Sequence, residues 1–482
     1  MPWHYFRLLE GDEVSSSITS KHRKQMDRGG VDLVIKNAQL LMESGLVRGG
    51  VGVSRGIIKI IATDEHLPDA DTAIDAKGCV LMPGLIDGHA HIHDPNMLSH
   101  ESFQSGSRAA AGGGVTTFID MPLTNQVDSV AAVEEKIQQG TEHSMVDFSF
   151  YAGMINAKNI TIVPTLIEKG IAAFKAFTCE PFQVGAGVIT KALSEVSEYG
   201  GHITVHSEDQ GVLDEFKKDM DGEWEAPISH SLARPNLAEQ LAVRQNISLA
   251  EQTGGHLHIA HITTREGLIE IERAKLHGIM VTTEVCPHHL VFYRDDMNRL
   301  GPKSKMNPPL RTKEDRAALW SGLLRGIIDI TVSDHAPCPI EKKDAGKEDI
   351  REAWAGVDGT QMILRVLLSE GINKGRLSYT RLLKVASRNP ARIFGLYPKK
   401  GVLRIGSDAD FVIFDPNREE KITADMMFSK CGWTLYEGMT MLGAPVMTFV
   451  RGVQVYGEGK ILAKPGQSQF QAMGSGNKPR GD

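Results

Sequence analysis

The sequence lacks every short cysteine signature. Its five cysteines, Cys79, Cys179, Cys286, Cys338 and Cys431, are scattered through 482 residues, so no Cys-x-x-Cys zinc or redox motif exists. An odd, dispersed count predicts reduced thiols in a cytoplasmic protein rather than a disulfide framework. No uninterrupted apolar run approaches the roughly 20 residues that span a bilayer. Residues 1–30 mix charges throughout and show no secretory apolar core, so no membrane partner is expected. A basic excess is also missing: 53 Lys and Arg stand against 60 Asp and Glu, a net charge of −7. That balance argues against a nucleic-acid partner. No Gly-x-Gly-x-x-Gly loop follows the first strand, so nothing favours a dinucleotide fold.

What is present is ordinary for a globular enzyme. Hydrophobic residues make up 41% and charged residues 23%, which excludes a wholly disordered or collagenous chain. At about 150 residues per domain the length suggests three domains, or one large barrel with a smaller partner. Residues 1–30 read as a polar extension and residues 466–482 as a loose tail. Short β-type runs at 31–36 and 56–62 look like a small all-β unit. From about residue 80, apolar runs alternate with helical stretches. Eight candidate strands result, at 80–86, 115–119, 146–152, 171–177, 202–205, 256–262, 279–285 and 327–332. Asn236 with Glu239 reads as a helix N-cap and its capping-box acid. Thr312 opens a second clear helix. Strand–helix alternation implies parallel βαβ units, and eight of them suggest a (β/α)8 barrel over 83–399. A doubly wound sheet is the rival topology. Short strands return beyond Gly401, so residues 31–82 and 400–465 are expected to build one β-sandwich domain from both ends.

In such barrels the reacting groups stand at the C-terminal strand ends, on one face. The first run ends in Asp87-Gly88-His89-Ala90-His91, the fourth carries Lys175, the fifth ends at His206, the sixth at His261 and the eighth at Asp334. His89 and His91 are two apart, so on an extended segment they face the same way and can grip one metal. Nitrogen and oxygen donors without thiolates suit zinc, and also manganese, cobalt or iron. A single His in a β run is as readily a satisfied core residue; four of them with an Asp at strand ends are a different matter. Lys175, flanked by Phe174, Ala176 and Phe177, is in surroundings that lower an amine's pKa. A neutral amine can form a Schiff base, or take up carbon dioxide as a carbamate that bridges two metals. In isolation a snorkelling Lys with a wet tip is the commoner case.

The run Met82-Pro83-Gly84-Leu85-Ile86-Asp87-Gly88-His89-Ala90-His91 resembles the opening signature of the cyclic amidohydrolases, which include allantoinase, hydantoinase, dihydropyrimidinase and dihydroorotase. The likeness continues through Phe174–Phe177, Val205-His206-Ser207-Glu208, His258-Ile259-Ala260-His261, Glu284-Val285-Cys286-Pro287-His288, Asn307-Pro308-Pro309-Leu310-Arg311, Ser333-Asp334-His335-Ala336-Pro337 and Gly406-Ser407-Asp408-Ala409-Asp410. It spans about residues 31 to 465. The resemblance implies a barrel with two divalent metal ions, His89 and His91 on one, His206 and His261 on the other, and a carboxylated Lys175 bridging them. Asp334 would bind one metal and shuttle the proton for a bridging hydroxide. Asn307 and His93 would meet the substrate, with His288, His289 and His335 in supporting places. A homo-oligomer, dimer or tetramer, is implied as well.

The implied reaction is hydrolytic opening of a cyclic amide or ureide, a small-molecule substrate. The dihydroorotase branch typically has an Arg two residues after the second metal-binding His, and here that position is His93. The Asn that dihydropyrimidinases carry after the catalytic Asp is not obvious in Gly356-Val357-Asp358-Gly359. A five-membered ring is therefore favoured, allantoin slightly ahead of 5-substituted hydantoins, with dihydropyrimidine or dihydroorotate as alternatives. Two further readings are a one-metal deaminase, against which Lys175 counts, and a dihydropyrimidinase-like scaffold without activity, against which the intact set of six positions counts.

Overall fold

Gly84 divides the first expected barrel run in two. In the computed structural model, which describes residues 30–123, 126–220 and 222–474, the run at 80–86 is not one strand. Val80–Pro83 belongs to a β domain and Leu85–Ala90 is the first barrel strand. The Gly84 N–H donates to Asp410 O at 2.9 Å, and Thr116 packs where a side chain at 84 would stand. Only glycine permits that close approach.

The β domain joins the two ends of the chain. Phe411–Lys421 pairs antiparallel with Val80–Pro83, Phe411 opposite Pro83 and Phe414 opposite Val80. Through this seam the strands Thr440–Val450, Val453–Gly457 and Lys460–Ile461 continue one hydrogen-bonded set with Val31–Met42, Gly45–Ser54, Ile57–Ala62 and Ala70–Asp75. Leu33, Ile35, Val51, Leu81, Phe411, Ile413 and Phe449 share one core there. Strand alternation places these on the inner face.

The eight barrel strands are Leu85–Ala90, Val115–Asp120, Asp147–Phe150, Ala173–Phe177, His202–His206, Leu257–Ile259, Val281–Val285 and Ile330–Thr331. All neighbouring pairs are parallel. The bridges Ala152 to Phe174 and Ala90 to His335 close the ring. Nearly every strand residue is buried, as a parallel sheet wrapped by helices requires. The (β/α)8 barrel with a β-rich second unit is thus the observed fold.

Three local expectations need correction or comment. Thr312 does cap the helix Lys313–Arg325, accepting from Asp315 N at 3.2 Å while Asp315 accepts from Thr312 N at 3.1 Å. Asn236 is not a cap: Pro235 holds that position, and the helix runs Asn236–Thr253. Glu239 instead accepts from Thr263 and Thr264, backbone and hydroxyl both, including Thr264 N at 2.8 Å; a tertiary partner has displaced the local one. The tail expected to be loose from 466 is ordered as far as Gly474. Phe470 packs on Phe150 with ring centres 5.4 Å apart, Gln471 Nε2 donates to Asp147 at 3.0 Å, and Met473 is buried. The remaining residues of that tail, and residues 1–29 of the N-terminal extension, lie outside the described residues.

Candidate active site

His89 is the last residue but one of the first strand, Leu85–Ala90, and His91 directly follows the strand. Their Nε2 atoms lie 3.3 and 3.0 Å from one oxygen of Asp334, which stands beyond the eighth strand. The other ring nitrogens are committed. His91 Nδ1 donates to Met121 O at 2.6 Å, since a carbonyl can only accept. His89 Nδ1 faces the Glu284 carboxylate at 2.5 Å. Burial lowers the His89 pKa, so that ring is neutral and its Nε2 is a bare lone pair. Burial alone would raise Asp334, but His89, His91 and His261 hold it well below the carboxylate range. A lone pair aimed at a carboxylate leaves a place that only a proton or a cation can fill.

A second pair stands across the mouth. His206 Nδ1 and His261 Nε2 are 3.1 Å apart. His206 Nε2 is turned away to Glu208 Oε2 at 2.7 Å, and Glu208 is in turn held by Arg234. Burial opposes protonation of His206, yet Cys179 and Glu208 raise its pKa to about 9. Two facing imidazole nitrogens can share one proton or one cation, and the two donor pairs fit a pair of divalent ions. Lys175 lies between the elements that carry them. It is buried, and burial lowers its pKa to about 8. Its Nζ rests 4.7 Å from the centre of the Phe177 ring. The Asp334 group with His89 and His91 falls within 4.8 Å of itself.

Backbone conformation marks the same place. Among the described residues the non-glycine positive φ values lie in the β domain, four in turns and Asn37 within a strand, except two, His261 at 26° and Asp334 at 46°. Both lie just past the C-terminal ends of barrel strands, two and three residues beyond Ile259 and Thr331. Such conformations persist where surrounding structure holds them, and they gather at functional sites.

Two joined cavities open above. The inner one, about 140 Å³, is lined by His89, His91, Lys175, His206, His261 and Asp334. It shares Leu123, Phe182, Arg234 and Asn307 with an outer chamber of about 1190 Å³, whose further walls include Trp224, Trp354 and Met97. Asn307 Oδ1 accepts from His230 Nε2 at 2.9 Å. His93 lines neither cavity. It is buried, 5.6 Å from the His100 ring and 6.0 Å from Trp354, and burial lowers its pKa to about 3. His335 is satisfied on both nitrogens, by Glu101 at 3.0 Å and Gly359 N at 3.1 Å.

Several contributing residues escaped the sequence reading. Glu284, Glu208 and Arg234 hold the imidazoles, and Trp224 with Trp354 walls the chamber. Glu284 carried a signal, a carboxylate inside the apolar run at 279–285, and Glu208 carried another, two positions after His206. The tryptophans carried none.

The family model described as the amidohydrolase family matches residues 80–461. The solved L-hydantoinase (dihydropyrimidinase) of Arthrobacter aurescens superposes with a TM-score of 0.88 at 32% identity, covering 91% of this chain and 99% of that one. The allantoinase of Escherichia coli strain K12 is 34% identical over 450 residues, 90% of this chain and 98% of the relative. A dihydroorotase of Methanosarcina acetivorans is 35% identical over 463 residues, 94% and 97% of the two chains. Similarity of this kind does not separate the three substrates.

Proposed function

This chain belongs to the amidohydrolase family and is a hydrolase of cyclic amides, and from that premise we propose that its substrate is a five-membered hydantoin-type ring bearing a bulky apolar substituent at carbon 5. The observation that carries this reading is the pair of joined cavities. The inner pocket suits a small ring, while the outer chamber, about 1190 Å³, exceeds the roughly 300–1000 Å³ of ordinary small-molecule sites. Phe182, Trp224 and Trp354 offer that chamber apolar walls. Allantoin, with its small polar ureido group, would leave them unused. It stands as the second reading because the stretch from His89 to Pro95 and that from Ser333 to Pro339 resemble allantoinases, and an allantoinase is among the relatives.

His89, His91, Lys175, His206, His261 and Asp334 are the residues that would hold two divalent ions, zinc first among those suited to nitrogen and oxygen donors. Such a pair supplies an activated water at neutral pH and polarises the scissile carbonyl. The buried Lys175 amine, with a pKa lowered to about 8, has a neutral fraction able to add to carbon dioxide. Carbon dioxide would add to that amine with loss of one amine proton to solvent, and the carbamate so formed would offer the ions oxygen donors. Asp334 takes the proton released on attack and returns it to the leaving ring nitrogen; without it an amide anion would have to depart. Glu284 and Glu208 orient the imidazoles from behind. Asn307, held by His230, faces the ring amide.

The test is a panel of allantoin, hydantoin, both hands of 5-benzylhydantoin, dihydrouracil and dihydroorotate, each with added zinc, manganese or cobalt. We expect kcat/KM for one hand of 5-benzylhydantoin to exceed that of hydantoin by about 10-fold or more, the usual return for filling an apolar pocket. A preference for allantoin would favour the second reading. Failure to open any ring would defeat both. Ring opening retained in Asp334→Ala would refute the shuttle.

A further inference from the structure

We propose that Cys286, His288 and His289 form a third cation site, distinct from the one that lines the inner pocket, taking one divalent ion of the zinc class. The three residues follow the seventh barrel strand: Cys286 caps the short helix Pro287–Val291, and the two histidines sit within it. One ligand atom from each lies within 4.8 Å of the others. None of the three lines the inner pocket or the outer chamber. The site does not rest on the proposed substrate, nor on the two-ion centre.

Hydrogen bonding is what points to a cation. His289 Nε2 lies 3.2 Å from Pro308 O, and a carbonyl can only accept, so that nitrogen carries the proton. His289 Nδ1 is then a bare lone pair, and it is buried with no partner among the described residues. Among the described residues His288 has no partner on either nitrogen. One of its two nitrogens is therefore a second unmatched lone pair. Burial lowers the pKa of His288 to about 4 and that of His289 well below its ordinary value, so both rings are in the neutral form that binds metal. Cys286 Sγ completes the set and is fully buried. Buried polar atoms are nearly always partnered; here three unpartnered nitrogens stand together beside a thiol. The second ring nitrogen of a metal-bound His commonly donates to a backbone carbonyl, and the His289 contact with Pro308 is such a bond.

The donor set suits zinc. Bonds of about 2.0 Å to nitrogen and 2.3 Å to sulfur put the ligand atoms of a tetrahedral ion roughly 3.3–3.5 Å apart, so from separations within 4.8 Å the group needs a contraction of about 1.5 Å at most. On binding, a metal–sulfur bond would form as the Cys286 thiol proton leaves to solvent. Through His289 and Pro308 the ion would brace the neighbouring Asn307, which lines both cavities.

Cobalt-substituted enzyme tests this directly. Thiolate-to-cobalt charge transfer should give a near-ultraviolet band that is lost, with one ion per chain, in Cys286→Ser and kept in Cys179→Ser. Equal metal content and an unchanged spectrum in Cys286→Ser would overturn the proposal. Should that variant fail to fold, crystals of the wild-type zinc enzyme decide. Anomalous scattering between Cys286 Sγ and His289 Nδ1 is expected, and a water or nothing at that point overturns the site.

Discussion

Glu284 stands 2.5 Å from His89 Nδ1, and the same carboxylate accepts from His258 Nε2 at 3.0 Å and from His261 N at 3.1 Å. Burial alone would raise the Glu284 pKa, but His89 and His258 hold it far below the carboxylate range. One ionised side chain thus sets the tautomer of His89 and the position of His261, residues assigned to different ions. Glu284→Gln keeps the size but gives up the charge. Metal affinity should fall about 10- to 100-fold, the usual cost of losing such a partner. Competition with a chelator measures it; an unchanged affinity would show that Glu284 does not orient the site.

Lys175→Ala removes the group assigned to bridge the ions. Ring opening should fall by at least about 100-fold, as expected when metal-assisted attack is lost. Added acetate should restore part of it, because a small carboxylate fits the vacated volume. Rescue separates a missing bridge from a collapsed barrel, and its absence in a variant whose circular dichroism is unchanged would count against the carbamate.

Trp354 lines the outer chamber and packs against His100, ring centres 4.5 Å apart. Trp354→Ala should raise KM for an aryl-substituted hydantoin by about 10-fold, a loss of order 1–2 kcal/mol of apolar contact. For unsubstituted hydantoin the change should stay within about twofold. Equal losses on both substrates would mean that the residue supports the fold of the loop instead of receiving the substituent.

Asp358 is buried, and burial raises its pKa to about 6, with one carboxylate oxygen unpartnered among the described residues. The folded value lies above the ordinary 3.8, so the stability this group confers is full below about pH 4 and is lost as pH rises through 6. A shift of that size is worth about 3 kcal/mol. Asp358→Asn cannot lose a proton. Relative to wild type it should therefore gain stability between pH 4 and pH 8, by up to about that amount, read by urea denaturation at both pH values. A constant difference across the range would refute the assignment.

The barrel was legible because its signal is local. Each strand is a short apolar run, and each reacting group stands beside the run that carries it, so His89, His206, His261 and Asp334 could be located without knowing which strands adjoin. The spacing of His89 and His91 is a property of one extended segment. Local rules failed where a distant partner outcompeted a near one. Glu239 left its own helix terminus for Thr263 and Thr264, and Phe470 left the polar tail for Phe148 and Phe150.

By itself the sequence determined the order of strands and helices, the family-like motifs and the residue types offered at each strand end, all of which depend on neighbours a few positions away. Only the tertiary structure decided the rest. Closing the ring brought Glu284 to His89 across 195 positions and Asp334 to the two histidines across more. It placed Trp224 and Trp354 on one chamber and left His93 buried, out of that chamber's lining. It also left His288 and His289 with unmatched nitrogens. Which donor meets which acceptor depends on the packing of distant segments, and the periodicity of a single strand carries no record of it.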